Sequence, residues 1–132
     1  MGSKHRGFTL VELIVVIVIL GILAATAVPK FIDLSGEAGT AAVQGTAGAL
    51  ASATAINFAA KKAGNTSAVT LNQANVCADT ILGPLLQGGW PSGFSISGTG
   101  NCTAAAGNDA VSCTVTHDSS GKTATATVIC AR

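Results

Sequence analysis

The sequence predicts an α+β fold: a long N-terminal helical spine with a small antiparallel β-sheet packed on its C-terminal half. Three observations predict it. Leu10 to Val28 is apolar apart from Glu12, Gly21 and Thr26. Phe31 to Lys62 is dense in alanine and free of proline. From Phe94 onward the apolar residues alternate with serine and threonine, the period of a strand with one covered face.

Roughly twenty apolar residues in a helix span about 30 Å, the thickness of a bilayer's hydrocarbon core. Lys4 and Arg6 precede this run and Lys30 follows it. The excess of cations before the span predicts a cytoplasmic N-terminus and an exported remainder. Beyond the span, Phe31, Leu34, Ala38, Ala41, Ala42, Ala49, Ala53 and Ile56 recur at helical spacing, so this half is expected to be amphipathic and to bury that stripe. One helix from Phe8 to Lys62 would run about 80 Å. Gly21 and Pro29 interrupt its first half. Proline lacks an amide hydrogen and clashes with the preceding turn, so a kink is expected at Pro29, and Gly21 weakens the helix by up to about 1 kcal/mol relative to alanine.

Ala63-Gly64-Asn65-Thr66 has the composition of a helix C-cap. A mixed connection follows to about Trp90. A short helix is expected within Cys77 to Leu86, ended by Gly88-Gly89-Trp90-Pro91. Phe94 to Ser97 is the first strand. Val111, Cys113 and Val115 share one face of the second. Ala124, Ala126, Val128 and Cys130 alternate with Thr125, Thr127 and Ile129 in the third, after a turn at Asp118-Ser119-Ser120-Gly121. The only amphipathic cover for this sheet is the helix from Phe31 to Lys62.

Composition narrows the function. The 132 residues carry 7 lysines and arginines against 6 aspartates and glutamates, so no charge field steers the chain to nucleic acid. Lys61-Lys62 reads as a solvated helix end. The five aromatics, Phe8, Phe31, Phe58, Trp90 and Phe94, are too scattered for a conductive ladder. His117 beside Asp118 sits at a hairpin tip, and no serine, cysteine or carboxylate cluster suggests a nucleophilic site, so no enzyme activity is expected. Asn65-Thr66-Ser67 and Asn101-Cys102-Thr103 match the short N-glycosylation pattern, which arises often by chance.

The N-terminus admits three readings. A secretory signal peptide would have a basic start, an apolar run and the Ala25-Thr26-Ala27 cleavage pattern. Glu12 and the length of the run argue against it, since an h-region is uncharged and roughly 7–15 residues long. A plain membrane anchor explains the length but not the carboxylate, whose insertion costs on the order of 3 kcal/mol at the bilayer centre. Its place near one end of the span softens that cost without giving a reason for it.

The third reading supplies a reason. Arg6-Gly7-Phe8-Thr9-Leu10-Val11-Glu12-Leu13, behind a basic leader and ahead of the apolar span, resembles the processing motif of type IV pilins. The resemblance implies a pilin fold and cleavage between Gly7 and Phe8 on the cytoplasmic side by a prepilin peptidase. The same enzyme class then methylates the new Phe8 amine. The implied organisation is a leader over 1–7, a transmembrane and filament-core segment over 8–28, and an exported domain over 29–132. Glu12 lies four residues beyond Phe8, so the two are helical neighbours within one chain. Between staggered copies, Glu12 could instead meet the Phe8 ammonium of an adjacent helix. An unpaired carboxylate in a dry core costs several kcal/mol and a paired one far less, so the pair would set register. The resemblance also implies that the stretch from Gly21 to Pro29 loses helical form in an assembled filament. Pro29 to Ala38 (PKFIDLSGEA) and Gly88 to Phe94 (GGWPSGF) are similar to mannose-sensitive haemagglutinin-type pilins.

The topology puts Cys77, Cys102, Cys113 and Cys130 in an oxidising compartment, where disulfides are the default. Four cysteines allow three connectivities. The expected pairs are Cys102–Cys113, closing a loop between strands, and Cys77–Cys130, tying the chain end to the connection. No pair has metal-ligand or haem spacing, so no metal or cofactor is expected.

The expected function is therefore structural: a subunit that polymerises with its own copies into a type IV pilus serving adhesion or motility. It would be stored in the inner membrane and assembled by machinery whose ATPases lie elsewhere, because this chain has no phosphate-binding loop. The alternative is a pseudopilin of a type II secretion system, with the same N-terminus. A secreted binding domain freed by signal peptidase would instead begin at Val28.

Overall fold

The computed structural model describes residues 7–107 and 109–132, the side chains of Ile32 and Asp33 apart. The leader expected over 1–7 thus lies outside the described residues except for Gly7. The chain divides into two units, one ending at Ser35 and one running from Gly36 to Arg132.

Helix α1 spans Leu10–Lys62 and passes through both Gly21 and Pro29. In the single subunit, then, the stretch expected to open in a filament is helical. Pro29 offers no amide hydrogen to the turn before it. One turn earlier the Thr26 hydroxyl donates to the Leu23 carbonyl at 3.0 Å, an extra bond within the segment that proline weakens.

The helix stops where its sequence says it should. Gly64 takes φ +80°, the left-handed region that glycine enters without a Cβ penalty. Its amide donates to the Lys61 carbonyl at 3.1 Å, and the Asn65 amide donates to the Ala60 carbonyl at 3.0 Å. These are the two bonds of a Schellman motif, which satisfy carbonyls left over at the end of a helix.

The connection contains the expected short helix, α2 (Asp79–Leu82), continued by a 3-10 turn at Gly83–Leu85. Three strands follow: β1 (Phe94–Ser97), β2 (Ala110–His117) and β3 (Thr123–Ile129), an antiparallel sheet in the order β1-β2-β3. The register aligns Val111 with Val128, Cys113 with Ala126 and Val115 with Ala124. The predicted apolar face therefore stays on one side, and Cys113, Val115, Ala126 and Val128 are buried on it.

The face of α1 that covers this sheet is not the predicted one. Gly39, Val43, Ala47, Leu50, Thr54 and Asn57 are buried, whereas Phe31, Leu34, Ala38, Ala41, Ala42, Ala49 and Ile56 are exposed and Ala53 is half-buried. The reason is composition. A helix this rich in alanine and glycine is weakly apolar on several faces, and the buried one carries two polar residues with fixed partners. Thr54 Oγ1 accepts from the Ile129 amide at 3.3 Å, joining α1 to β3. Asn57 makes a pair of 2.8 Å bonds with the backbone of Val69, donating through Nδ2 and accepting through Oδ1. Burial without such partners would cost these groups about 1–3 kcal/mol each.

The expected disulfide pairing is also corrected. The bonds are Cys77–Cys113 and Cys102–Cys130. Cys113 lies mid-β2 on the core face, where the connection that carries Cys77 packs. The Cys102 loop is tied to the connection, since the Cys102 amide donates to Gln73 O and Val76 N donates to Gly100 O. The Cys130 amide donates to Asp109 O beside the start of β2, which brings the chain end, rather than Cys113, to Cys102. Gly100 permits the crossing: a Cβ there would lie 2.8 Å from both Cys77 Sγ and Val111 Cγ2.

Candidate functional site

The residues that the sequence singles out for processing stand at the start of α1. Gly7, Phe8 and Thr9 precede the helix and are exposed, Phe8 to 91%. The Gly7–Phe8 peptide bond thus lies in non-helical, accessible chain, a form that an enzyme cleft can take in. Among the described residues a Cβ on Gly7 would meet nothing within 4 Å.

Thr9 is the N-cap of α1. Its Oγ1 accepts from the Glu12 amide at 3.2 Å, and Glu12 Oε2 accepts from the Thr9 amide at 2.8 Å. The Thr9 hydroxyl donates to the same carboxylate oxygen at 2.8 Å. This is a capping box, in which threonine and a glutamate three residues on satisfy each other's free amides. In the subunit, then, Glu12 is held by Thr9 and not by Phe8. Sequence reasoning missed Thr9, although Thr9-x-x-Glu12 ahead of an apolar run is a legible helix start. The carboxylate thus has a local role within the chain, and because Phe8 precedes the helix its spacing to Glu12 is not that of helical neighbours.

Beyond the cap, α1 is long and apolar enough to cross a membrane, and none of its most apolar stretch is buried. From Leu10 to Val28 every residue is exposed except Ala27, which is half-buried. At about 25 cal/mol per Å² of apolar surface, leaving such a stretch in water is strongly unfavourable, so lipid or protein must cover it.

The other candidates do not form a reaction centre. His117 Nδ1 lies 2.7 Å from Ser120 Oγ across the β2–β3 turn, while Asp118 Oδ1 accepts from Ser95 Oγ at 2.8 Å. The adjacent histidine and aspartate thus make separate local bonds. Asn65 and Asn101 each accept from the amide two residues on, at 2.9 and 3.0 Å, so both glycosylation-like triplets begin as Asx turns. Lys62 Nζ sits 5.5 Å from the Phe58 ring centroid, at a hollow of about 520 Å³ that also holds the Asp109–Arg132 ion pair. Among the described residues no group of three or more histidine, cysteine or acidic side chains could hold a metal ion.

Residues 2–28 match the family described as the prokaryotic N-terminal methylation motif. The type IV narrow pilus major component PilA5 of Thermus thermophilus is 40% identical over 122 residues, covering 92% of this chain and 94% of that protein. Two further similarities are shorter. The type IV major pilin PilA of Myxococcus xanthus is 50% identical over 36 residues, 27% of this chain and 16% of its own. A type IV major pilin PilE1 of Neisseria gonorrhoeae is 50% identical over 38 residues, 29% of this chain and 23% of its own. No solved structure gives a significant match.

Proposed function

This chain belongs to the type IV pilin family, and from that membership we propose that it is the polymerising subunit of a type IV pilus, built through its N-terminal helix. The precursor sits in the inner membrane with residues 1–7 in the cytoplasm, 8–28 in lipid and 29–132 exported. A prepilin peptidase cuts between Gly7 and Phe8, and the Phe8 amine is methylated. The subunit then leaves the membrane for an extracellular filament of its own copies. Adhesion or motility is a property of that polymer, and this chain's part in it is structural rather than catalytic.

The observation that carries the reading is the apolar surface of α1 with a single carboxylate at its start. Lipid covers the surface before assembly and other copies cover it afterwards. Cleavage turns the Phe8 amide into an ammonium group that can meet the Glu12 of a staggered neighbour. A cation entering the core beside that carboxylate relieves its burial cost, so copies stack best where the two charges meet. Thr9 holds Glu12 until that partner arrives.

The pseudopilin alternative shares every one of these N-terminal features, and the relatives named as pilus components favour the pilus. Within the family, the segments Pro29–Ala38 and Gly88–Phe94 support a mannose-sensitive haemagglutinin-type subunit. Intact mass of the exported protein tests the processing step: a chain beginning at methylated Phe8 is expected. A chain beginning at Val28 would overturn the reading in favour of a signal-peptide substrate. Long surface filaments of this chain, seen by electron microscopy, separate pilus from pseudopilus.

A further inference from the structure

Phe31 and Leu34 lie past the apolar span, three positions apart on α1, and are 70% and 63% exposed. They fall outside the segment that lipid covers and before the first buried residue of the helix, Gly39. On the folded unit a groove runs between α1 and the connection. Two hollows lie along it: one of about 310 Å³ with Ala49 facing Leu86 and Pro91, and one of about 250 Å³ with Ala53 and Ile56 facing Leu85, edged by the polar Asn65 and Ser67. Ala49, Ala53 and Ile56 follow one another by four and three positions, so they line one continuous helix face. Ile56 is 70% exposed at its edge.

An open filament needs a heterologous contact, one patch of a subunit meeting a different patch of the next, because a self-matching patch closes a dimer and stops. Two protruding apolar side chains and a separate groove whose helix side carries Ala49, Ala53 and Ile56 are such a pair. The small alanines let another helix approach closely, and the flanking leucines and proline supply the walls. We infer that Phe31 and Leu34 of one copy seat in the Ala49–Ile56 groove of another copy. This contact continues the polymer interface of the apolar span onto the folded unit. The inference rests on the proposed polymerisation and names the surface that the second copy uses outside the apolar core.

The test is photo-crosslinking in filaments assembled by the full chain. Phe31→p-benzoyl-phenylalanine keeps an aromatic ring at the position. Irradiated filaments should yield a covalent dimer whose partner peptide contains Ala49 to Ile56 or Leu85 to Pro91. Ala55 is exposed on a different side of α1. Ala55→p-benzoyl-phenylalanine should give no dimer through those peptides. Ala49→Glu should fold with both disulfides, insert and be processed, yet reduce filament yield roughly tenfold or more, the scale of a charge forced into an apolar seat. Ala55→Glu should leave yield unchanged. Crosslinks from position 31 to lipid alone, or to a different surface of the partner copy, would overturn the seat while leaving the pilus reading intact. Normal filaments from Ala49→Glu would do the same. A wild-type chain that is processed but never forms filaments would overturn both.

Discussion

Between Leu10 and Val28, α1 buries no side chain, and between Gly39 and Asn57 the same helix buries one every three or four positions. The first stretch is Val-, Ile- and Leu-rich, and among the described residues nothing in the chain covers it. The second is mostly alanine, glycine and threonine, and it is covered by a sheet tied down with two disulfides. The more apolar half is thus the one left open. Burial inside a subunit follows from what the chain can fold against it, and on the proposed function the surplus hydrophobicity of the first half is directed at lipid and at other copies. The two halves should therefore fail differently. Changes in Leu10–Val28 should act on assembly and leave the folded unit's stability alone, and changes in the covered half should act on stability.

The largest effect is expected at Glu12. Glu12→Val removes both the capping box and the charge, and Glu12→Gln removes only the charge, since glutamine also serves at this position of a capping box. Breaking a buried ion pair by deleting one partner costs about 3–5 kcal/mol, so both variants should lose filaments on the order of a hundredfold or more. Membrane insertion should persist in both. Sheared-filament yield and membrane fractionation measure the two properties. Normal filaments from Glu12→Gln would show that capping is all Glu12 does and remove the charge pair from the account.

A second contrast sets Leu50 against Leu20. Leu50 is fully buried and Leu20 is 58% exposed. Leu50→Ala should cost the folded unit about 2–5 kcal/mol through lost burial and a cavity. Leu20→Ala should leave the thermal midpoint of that unit unchanged in detergent and reduce filament stability instead. Equal losses of thermal stability would mean that the two halves are not independent in the way their burial indicates.

The contrast also explains how much of this molecule its sequence makes legible. The apolar span, the C-cap at Gly64, the three strands and their inward face are all readable, because each is a local pattern read by a local rule. The covered face of α1 is not, since Phe31, Leu34 and Ile56 outscore Thr54 and Asn57 on any apolar template. Thr54 and Asn57 are buried only because the Ile129 amide and the Val69 backbone lie far along the chain and arrive to bond them. The disulfides escape for the same reason. Cys102 meets Cys130 because the Cys102 loop runs beside Gln73 and the chain end beside Asp109, paths that no cysteine spacing encodes. At the proposed processing segment the observed feature is local: the capping box of Thr9 and Glu12 was available in the same eight residues that carry the motif.

The smallest expected effect compares two glycines of the covered half. Gly39 sits under the β2–β3 turn, where a Cβ would come within 2.5 Å of Ser120 Oγ and 2.9 Å of its Cβ. Gly48 is exposed, and a Cβ there would meet nothing within 4 Å. Both are helical, so alanine gains up to about 1 kcal/mol of helix propensity at each. At Gly48 that gain is unopposed, and Gly48→Ala should raise the thermal midpoint slightly. At Gly39 the new methyl pushes the turn off the helix at a cost of about 1–3 kcal/mol, which outweighs the gain. Adding Ser120→Gly removes the atoms that a Cβ on Gly39 would strike, so the double variant should recover most of the loss. A Gly39→Ala subunit as stable as Gly48→Ala would mean that the turn gives way freely, and that the hairpin tip is not seated on α1 at all.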